Sequence, residues 1–142
     1  MKLTSNSPRA TAAIAKLISK ETLKAKSSVV IGFVGDLGVG KTTFIKALVK
    51  GLGLNKKVVS PTFIILRRLP LNPKRSVYHI DAYRIKSKDL LALGFKDAIT
   101  GRNIVLIEWA DRVKNILPKH TIWLRLEHGK NKNERHITIN RR

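Results

Sequence analysis

Apolar positions along the chain fall into alternating helical and strand-like patterns. Residues Arg9 to Leu23 carry Ile14, Leu17 and Ile18 at helical spacing, which predicts an amphipathic helix. Ser28 to Val34 is a short run rich in Val and Ile, stopped by Gly35, and reads as a buried strand. Thr42 to Leu52 returns to helical spacing and ends at Gly53, a residue suited to closing a helix. Thr62 to Leu69 and Val77 to Ile80 read as strands, separated by the turn-rich Pro70-Leu71-Asn72-Pro73. Ser87 to Leu93 predicts a short helix that Gly94 closes. Ile104 to Ile107 predicts another buried strand. Thr121 to Glu127 and Arg135 to Asn140 form a terminal pair joined by the polar stretch Gly129 to Asn133. Strands interleaved with helices predict an α/β sheet, mixed because the last two strands can form a hairpin.

Length and composition narrow the class. With 142 residues, 43% hydrophobic, the chain suits one domain with a sizeable core rather than two. No apolar run approaches the ~20 residues that a bilayer demands, and Ser, Asn, Pro and Arg precede the first apolar stretch. The expectation is a soluble, cytoplasmic protein. Cysteine is absent, which excludes disulfides and thiolate metal sites and leaves oxygen or imidazole donors, an inventory that suits Mg²⁺. The 29 Lys and Arg against 9 Asp and Glu give a net charge of +20, a field that attracts polyanions. A strongly basic proteome would produce the same diffuse excess, so charge ranks partners only weakly.

The chemistry begins at Gly35-Asp36-Leu37-Gly38-Val39-Gly40-Lys41-Thr42, which fits G-x-x-x-x-G-K-[ST] at every fixed position. Glycines let the backbone curl so that successive N–H groups point at phosphate oxygens, and the following helix offers its positive end to the same anion. Lys41 is placed to reach the β and γ phosphates of ATP, and the Thr42 hydroxyl to bind Mg²⁺. A strand before the loop and a helix after it distinguish this segment from an ordinary glycine-rich turn. The expected architecture is a P-loop NTPase-like sheet, mostly parallel with an antiparallel C-terminal hairpin and flanked by helices, in one domain over residues 1–142.

Two acids fall where such a site needs them. Glu108 follows the apolar run Ile104 to Ile107, a position from which a carboxylate at the strand's end reaches a metal shell. Asp81 follows Val77 to Ile80 in the same way. The competing reading of each is a solvated strand-end acid or helix cap. Asp36 occupies a free position of the loop and reads better as a solvated turn residue.

Four ordered segments carry a family resemblance: Gly35 to Phe44, Ser60-Pro61-Thr62-Phe63, His79-Ile80-Asp81-Ala82-Tyr83-Arg84 and Ile107-Glu108-Trp109. Together they resemble the bacterial TsaE (YjeE) family, over about Thr11 to Ile139. The resemblance implies an ATPase of tRNA threonylcarbamoyladenosine synthesis that acts with TsaB and TsaD, with tRNA a further candidate contact through the complex or the basic surface. It implies Thr42 and Glu108 as Mg²⁺ ligands, and Asp81, Lys41 and Glu108 as the catalytic set. Nucleotide contacts would come from Gly35, Leu37, Gly38, Val39, Gly40, Lys41, Thr42 and Thr43, with Thr11, Trp109 and Arg135 near the nucleotide. Ser60 to Phe63 matches a switch-like loop. From residue type alone, Trp109 serves equally as an aromatic packing a helix start. His79 reads as a core or supporting residue rather than a catalytic one, and Arg84 as a candidate phosphate contact.

The chain departs from the family pattern at Arg67-Arg68-Leu69, where a tyrosine is common, and in the basic connection Leu71 to Arg75. Two other classes compete with this reading, a kinase that uses the same P-loop and a basic RNA-binding module whose ATPase is incidental. A small nucleotide or metabolite kinase would need an acceptor pocket and an arginine-bearing lid, for which little chain remains beyond Trp109. A basic RNA-binding module would interleave aromatic and basic residues, and no such pattern is present.

Overall fold

In the computed structural model, residues 1–54 and 65–141 are described. The Ser60 to Phe63 segment lies outside them, as does the start of the strand expected from Thr62.

Seven strands form one sheet: β1 (Lys2–Ser5), β2 (Val29–Val34), β3 (Leu66–Asn72), β4 (Arg75–Asp81), β5 (Ile104–Glu108), β6 (Ile122–His128) and β7 (Arg135–Arg141). Their order is β1-β7-β6-β2-β5-β4-β3. The four central strands are parallel, and the edge pairs β1/β7, β6/β7 and β3/β4 are antiparallel. The expected mixed sheet with its C-terminal hairpin is present. A second antiparallel edge is added by β3.

Helices α1 (Pro8–Lys24) and α2 (Lys41–Gly51) cover one face, where Ile31, Phe33, Leu106 and Leu124 meet Phe44, Ile45 and Leu48. The other face buries Val30, Ile80, Val105 and Ile107 under α3 (Ser87–Ala92), α4 (Phe95–Ala98) and a 3₁₀ helix (Ala110–Ile116). Strand β2, buried on both faces, is therefore apolar almost throughout, as central parallel strands are. Helix α1 starts with Ser7 as cap, its hydroxyl accepting from the Ala10 N–H at 3.1 Å, and with Pro8 at the first turn. Its inner face holds Ile14, Ala15, Ile18 and Ser19, whereas Leu17 is exposed, so the apolar stripe runs through a narrower set than Ile14, Leu17 and Ile18.

Several elements depart from the sequence expectations. Pro70-Leu71-Asn72 lies in β3 rather than in a turn, because β3 is an edge strand whose outer side needs no N–H, and the ladder is irregular between Pro70 and Asn72. Gly94 closes α3 and at once opens α4, with φ 92. Asp81 and Glu108 are the last residues of their strands, not the residues after them. That carboxyl end of the parallel strands is where the candidate site forms.

Candidate functional site

The connection from β2 to α2 is the Gly35–Gly40 loop. A Cβ at Gly35 would collide with the Leu126 carbonyl of β6, so the chain can turn there only without a side chain. Gly40 sits at φ 107 directly before the first turn of α2, a left-handed cap conformation that L side chains rarely adopt. The result is a curled loop ending on a helix N-terminus, the arrangement that aims backbone N–H groups at an anion. Asp36 and Leu37 are exposed at the loop tip.

Lys41 is the first residue of α2, one position before the helix start expected at Thr42, and is buried. Its Nζ donates to the carbonyls of Gly35 and Asp36, the latter at 2.9 Å, and lies 4.0 Å from the centre of the Trp109 ring. Burial lowers the ammonium's pKa below its ordinary value, while Glu108, Asp36, Asp111 and Asp81 pull it back up.

Thr42, the next residue, donates its hydroxyl to Glu108 Oε1 at 2.8 Å. The other carboxylate oxygen, Oε2, is 2.8 Å from His79 Nε2, a contact between two buried side chains. The parallel register puts Asp81 beside Glu108 and His79 beside Leu106. Asp81 accepts from the Tyr83 N–H at 2.9 Å. Burial raises the Asp81 carboxyl above its ordinary pKa, the Tyr83 N–H opposes the rise, and the Glu108 charge adds to it. Thr42, Glu108 and Asp81 thus bring a hydroxyl and two carboxylates to one end of the loop. Such hard oxygen donors fit Mg²⁺, which takes one or two protein oxygens together with phosphates and water.

On the opposite side of the loop lies a pocket of about 250 Å³, lined by Thr11, Ala12, Gly38, Val39, Gly40, Thr43, Ala47, Asn133 and Arg135 among others. Arg135 fixes its rim by donating from Nε to the Val39 carbonyl at 2.9 Å. The Thr11 hydroxyl is engaged by Ser5 Oγ at 2.6 Å and by the Ser7 carbonyl at 3.2 Å, so its polar atom serves the start of α1 while the residue walls the pocket. The structure therefore divides the sequence candidates into two groups. Lys41, Thr42, Asp81, Glu108 and Trp109 gather at the strand ends, and Thr11, Gly38, Val39, Gly40, Thr43 and Arg135 line the pocket. Leu37 faces solvent, and Arg84 is likewise exposed.

Sequence reasoning missed one further feature. Tyr83 and Trp109 have ring centres 4.8 Å apart, and the Arg112 guanidinium lies 4.8 Å from the Tyr83 ring and 5.6 Å from the Trp109 ring. Trp109 holds φ 58, the one left-handed non-glycine residue among those described. Residue spacing alone gave no sign of this stack.

A family model described as "Threonylcarbamoyl adenosine biosynthesis protein TsaE" matches residues 5–137. The chain belongs to the TsaE family. It is 40% identical over 126 residues to the tRNA threonylcarbamoyladenosine biosynthesis protein TsaE of Rickettsia prowazekii, a match covering 87% of this chain and 84% of the relative. The protein of the same name from Bacillus subtilis is 37% identical over 139 residues, covering 93% and 80%. The crystal structure of Bacillus subtilis YdiB superposes with a TM-score of 0.74 at 32% identity, over 98% of this chain and 83% of that one. The TsaE match spans both the loop and the two strand-end acids, so the resemblance read from four motifs holds for nearly the whole chain. No helix among the described residues is long and apolar enough to cross a membrane.

Proposed function

We propose that this chain is the Mg²⁺-dependent ATPase of threonylcarbamoyl adenosine biosynthesis, a single cytoplasmic domain working with TsaB- and TsaD-like proteins. The observation that carries the reading is the convergence of Lys41, Thr42, Asp81 and Glu108 on one end of the Gly35–Gly40 loop.

In this reading the curled loop and the N-terminus of α2 hold the phosphates, and Lys41 leaves the Gly35 and Asp36 carbonyls to bind the β and γ oxygens. Thr42 and Glu108 hold Mg²⁺, which when bound neutralises charge on the phosphates. Asp81 orients the attacking water. Its raised pKa brings the carboxyl nearer to the range of a useful general base. The pocket bounded by Thr11, Thr43 and Arg135 takes the nucleoside, with the Arg135–Val39 bond holding its rim. Family membership supplies the pathway, and the names of the relatives supply tRNA as the molecule ultimately modified.

The test is phosphate release from ATP by the purified chain as Mg²⁺ is titrated. Metal-dependent release of inorganic phosphate is expected. Transfer of the phosphoryl group to an added nucleoside, nucleotide or sugar acceptor would instead identify a kinase.

A further inference from the structure

We infer that His79 is a positioning residue that builds the metal end of the site by fixing the Glu108 carboxylate. The inference rests on the reading of Thr42 and Glu108 as the metal-binding pair. His79 and Glu108 lie on adjacent parallel strands, β4 and β5, but are not register partners: Glu108 pairs with Asp81, two residues beyond His79. Glu108 therefore leans back along β4 to meet the imidazole, on the sheet face that α2 covers. The same face carries Val77 and Leu106 in the core beneath α2.

A glutamate has three rotatable side-chain bonds, and a metal ligand needs one arrangement of them. Here both oxygens are held. Oε1 accepts from Thr42 at 2.8 Å, and Oε2 lies 2.8 Å from His79 Nε2. With the carboxylate oxygen accepting, His79 Nε2 is the donor of this bond. Each oxygen keeps a further lone pair, and so does the Thr42 hydroxyl, so the pair can bind a cation without breaking this chain of bonds. A histidine that merely filled the core would not be aimed at a buried carboxylate with 5% of its side chain exposed. Removing the imidazole leaves that oxygen without a donor and lets the carboxylate turn, a supporting loss that in metal sites typically lowers affinity ~10- to 100-fold.

The experiment measures Mn²⁺ binding to the protein–ADP complex through loss of the free-ion EPR signal, alongside ADP binding in EDTA. His79→Ala is expected to weaken Mn²⁺ binding about 10- to 100-fold while metal-free ADP affinity stays within about twofold. His79→Gln, whose amide nitrogen can stand in for Nε2, should recover most of the loss. Glu108→Gln is the control for the underlying assignment. If Glu108→Gln leaves Mn²⁺ binding intact, the metal assignment fails and the inference falls with it. If Glu108→Gln weakens Mn²⁺ but His79→Ala does not, the positioning role alone is overturned. Equal losses of metal-bound and metal-free affinity in both folded His79 variants would mark a general structural role and also overturn it.

Discussion

Thr42 and Glu108 stand 66 residues apart in the chain and share a 2.8 Å hydrogen bond. One is fixed by the first turn of α2 and the other by the last position of β5, so the bond ties the loop's helix to the strand ends. The remaining site groups are placed relative to this pair.

Lys41→Ala should weaken ATP binding at least ~100-fold, because two or more charge-assisted bonds to phosphate, each worth about 1.5–3 kcal/mol, are lost. The fold should survive. The Lys41 ammonium contacts the carbonyls of half-buried Gly35 and exposed Asp36 rather than filling core volume. Calorimetric titration with ATP, checked against circular dichroism, reads both effects. Unchanged affinity in a folded variant would reject the phosphate-binding role.

Asp81→Asn should retain ATP and lose hydrolysis, since a group acting on the attacking water contributes to turnover more than to affinity. It also has a stability signature. Folding raises the Asp81 pKa, so ionised Asp81 opposes folding. That penalty is absent where the carboxyl is protonated in both states, sets in as pH rises through the unfolded value, and is complete above the folded one. The variant should therefore be more heat-stable than the parent at neutral pH, with the advantage vanishing in acid. Melting curves across pH 3 to 8, with single-turnover assays, check both parts; parental single-turnover rates would remove Asp81 from the chemistry.

Much of this was legible in the sequence, and the gaps have physical causes. The loop could be read because its chemistry is local: glycines, lysine and threonine at fixed spacing suffice. The strands β2 and β5 could be read because burial on both faces makes them continuously apolar. Strand β1, Lys2–Ser5, has no such signal, since four mostly polar residues become a strand only by pairing with β7. Pro70 hid the end of β3 because an edge strand tolerates what a central one does not. The His79–Glu108 contact follows from the register of β4 on β5 and the leaning of one side chain, neither of which is encoded in spacing. The same holds for the Arg112 stack.

Trp109 offers a test of backbone strain. A non-glycine residue in the left-handed region costs about 1–2 kcal/mol, whereas glycine's extra freedom when unfolded costs ~0.4–1 kcal/mol. Trp109→Gly should therefore match or exceed Trp109→Ala in urea stability, by up to about 1.5 kcal/mol. A clearly more stable alanine variant would show that the turn relaxes once the ring is gone.

The final prediction is that the isolated chain hydrolyses ATP slowly and that TsaB- and TsaD-like partners accelerate it. P-loop sites without an arginine at the γ-phosphate can be ~10³- to 10⁵-fold slower than completed ones, because developing charge is left uncompensated. In this chain Lys41 is assigned to the phosphates, and Arg112 is stacked on Tyr83 and Trp109. Two side chains flanking the site are also exposed: Leu37, 79% at the loop tip, and Tyr83, 40% beside Trp109. Exposed apolar and aromatic side chains flanking a charged site are the composition of an interface core, and a partner seated there would exclude water. Phosphate release should rise when both partners are added and should require intact Asp81 and Glu108. Ionic strength has to be held near 0.15 M, where the Debye length of about 8 Å suppresses non-specific association of a chain carrying +20. Full turnover by the chain alone, indifferent to both partners at that salt, would sink the idea and leave a self-sufficient enzyme.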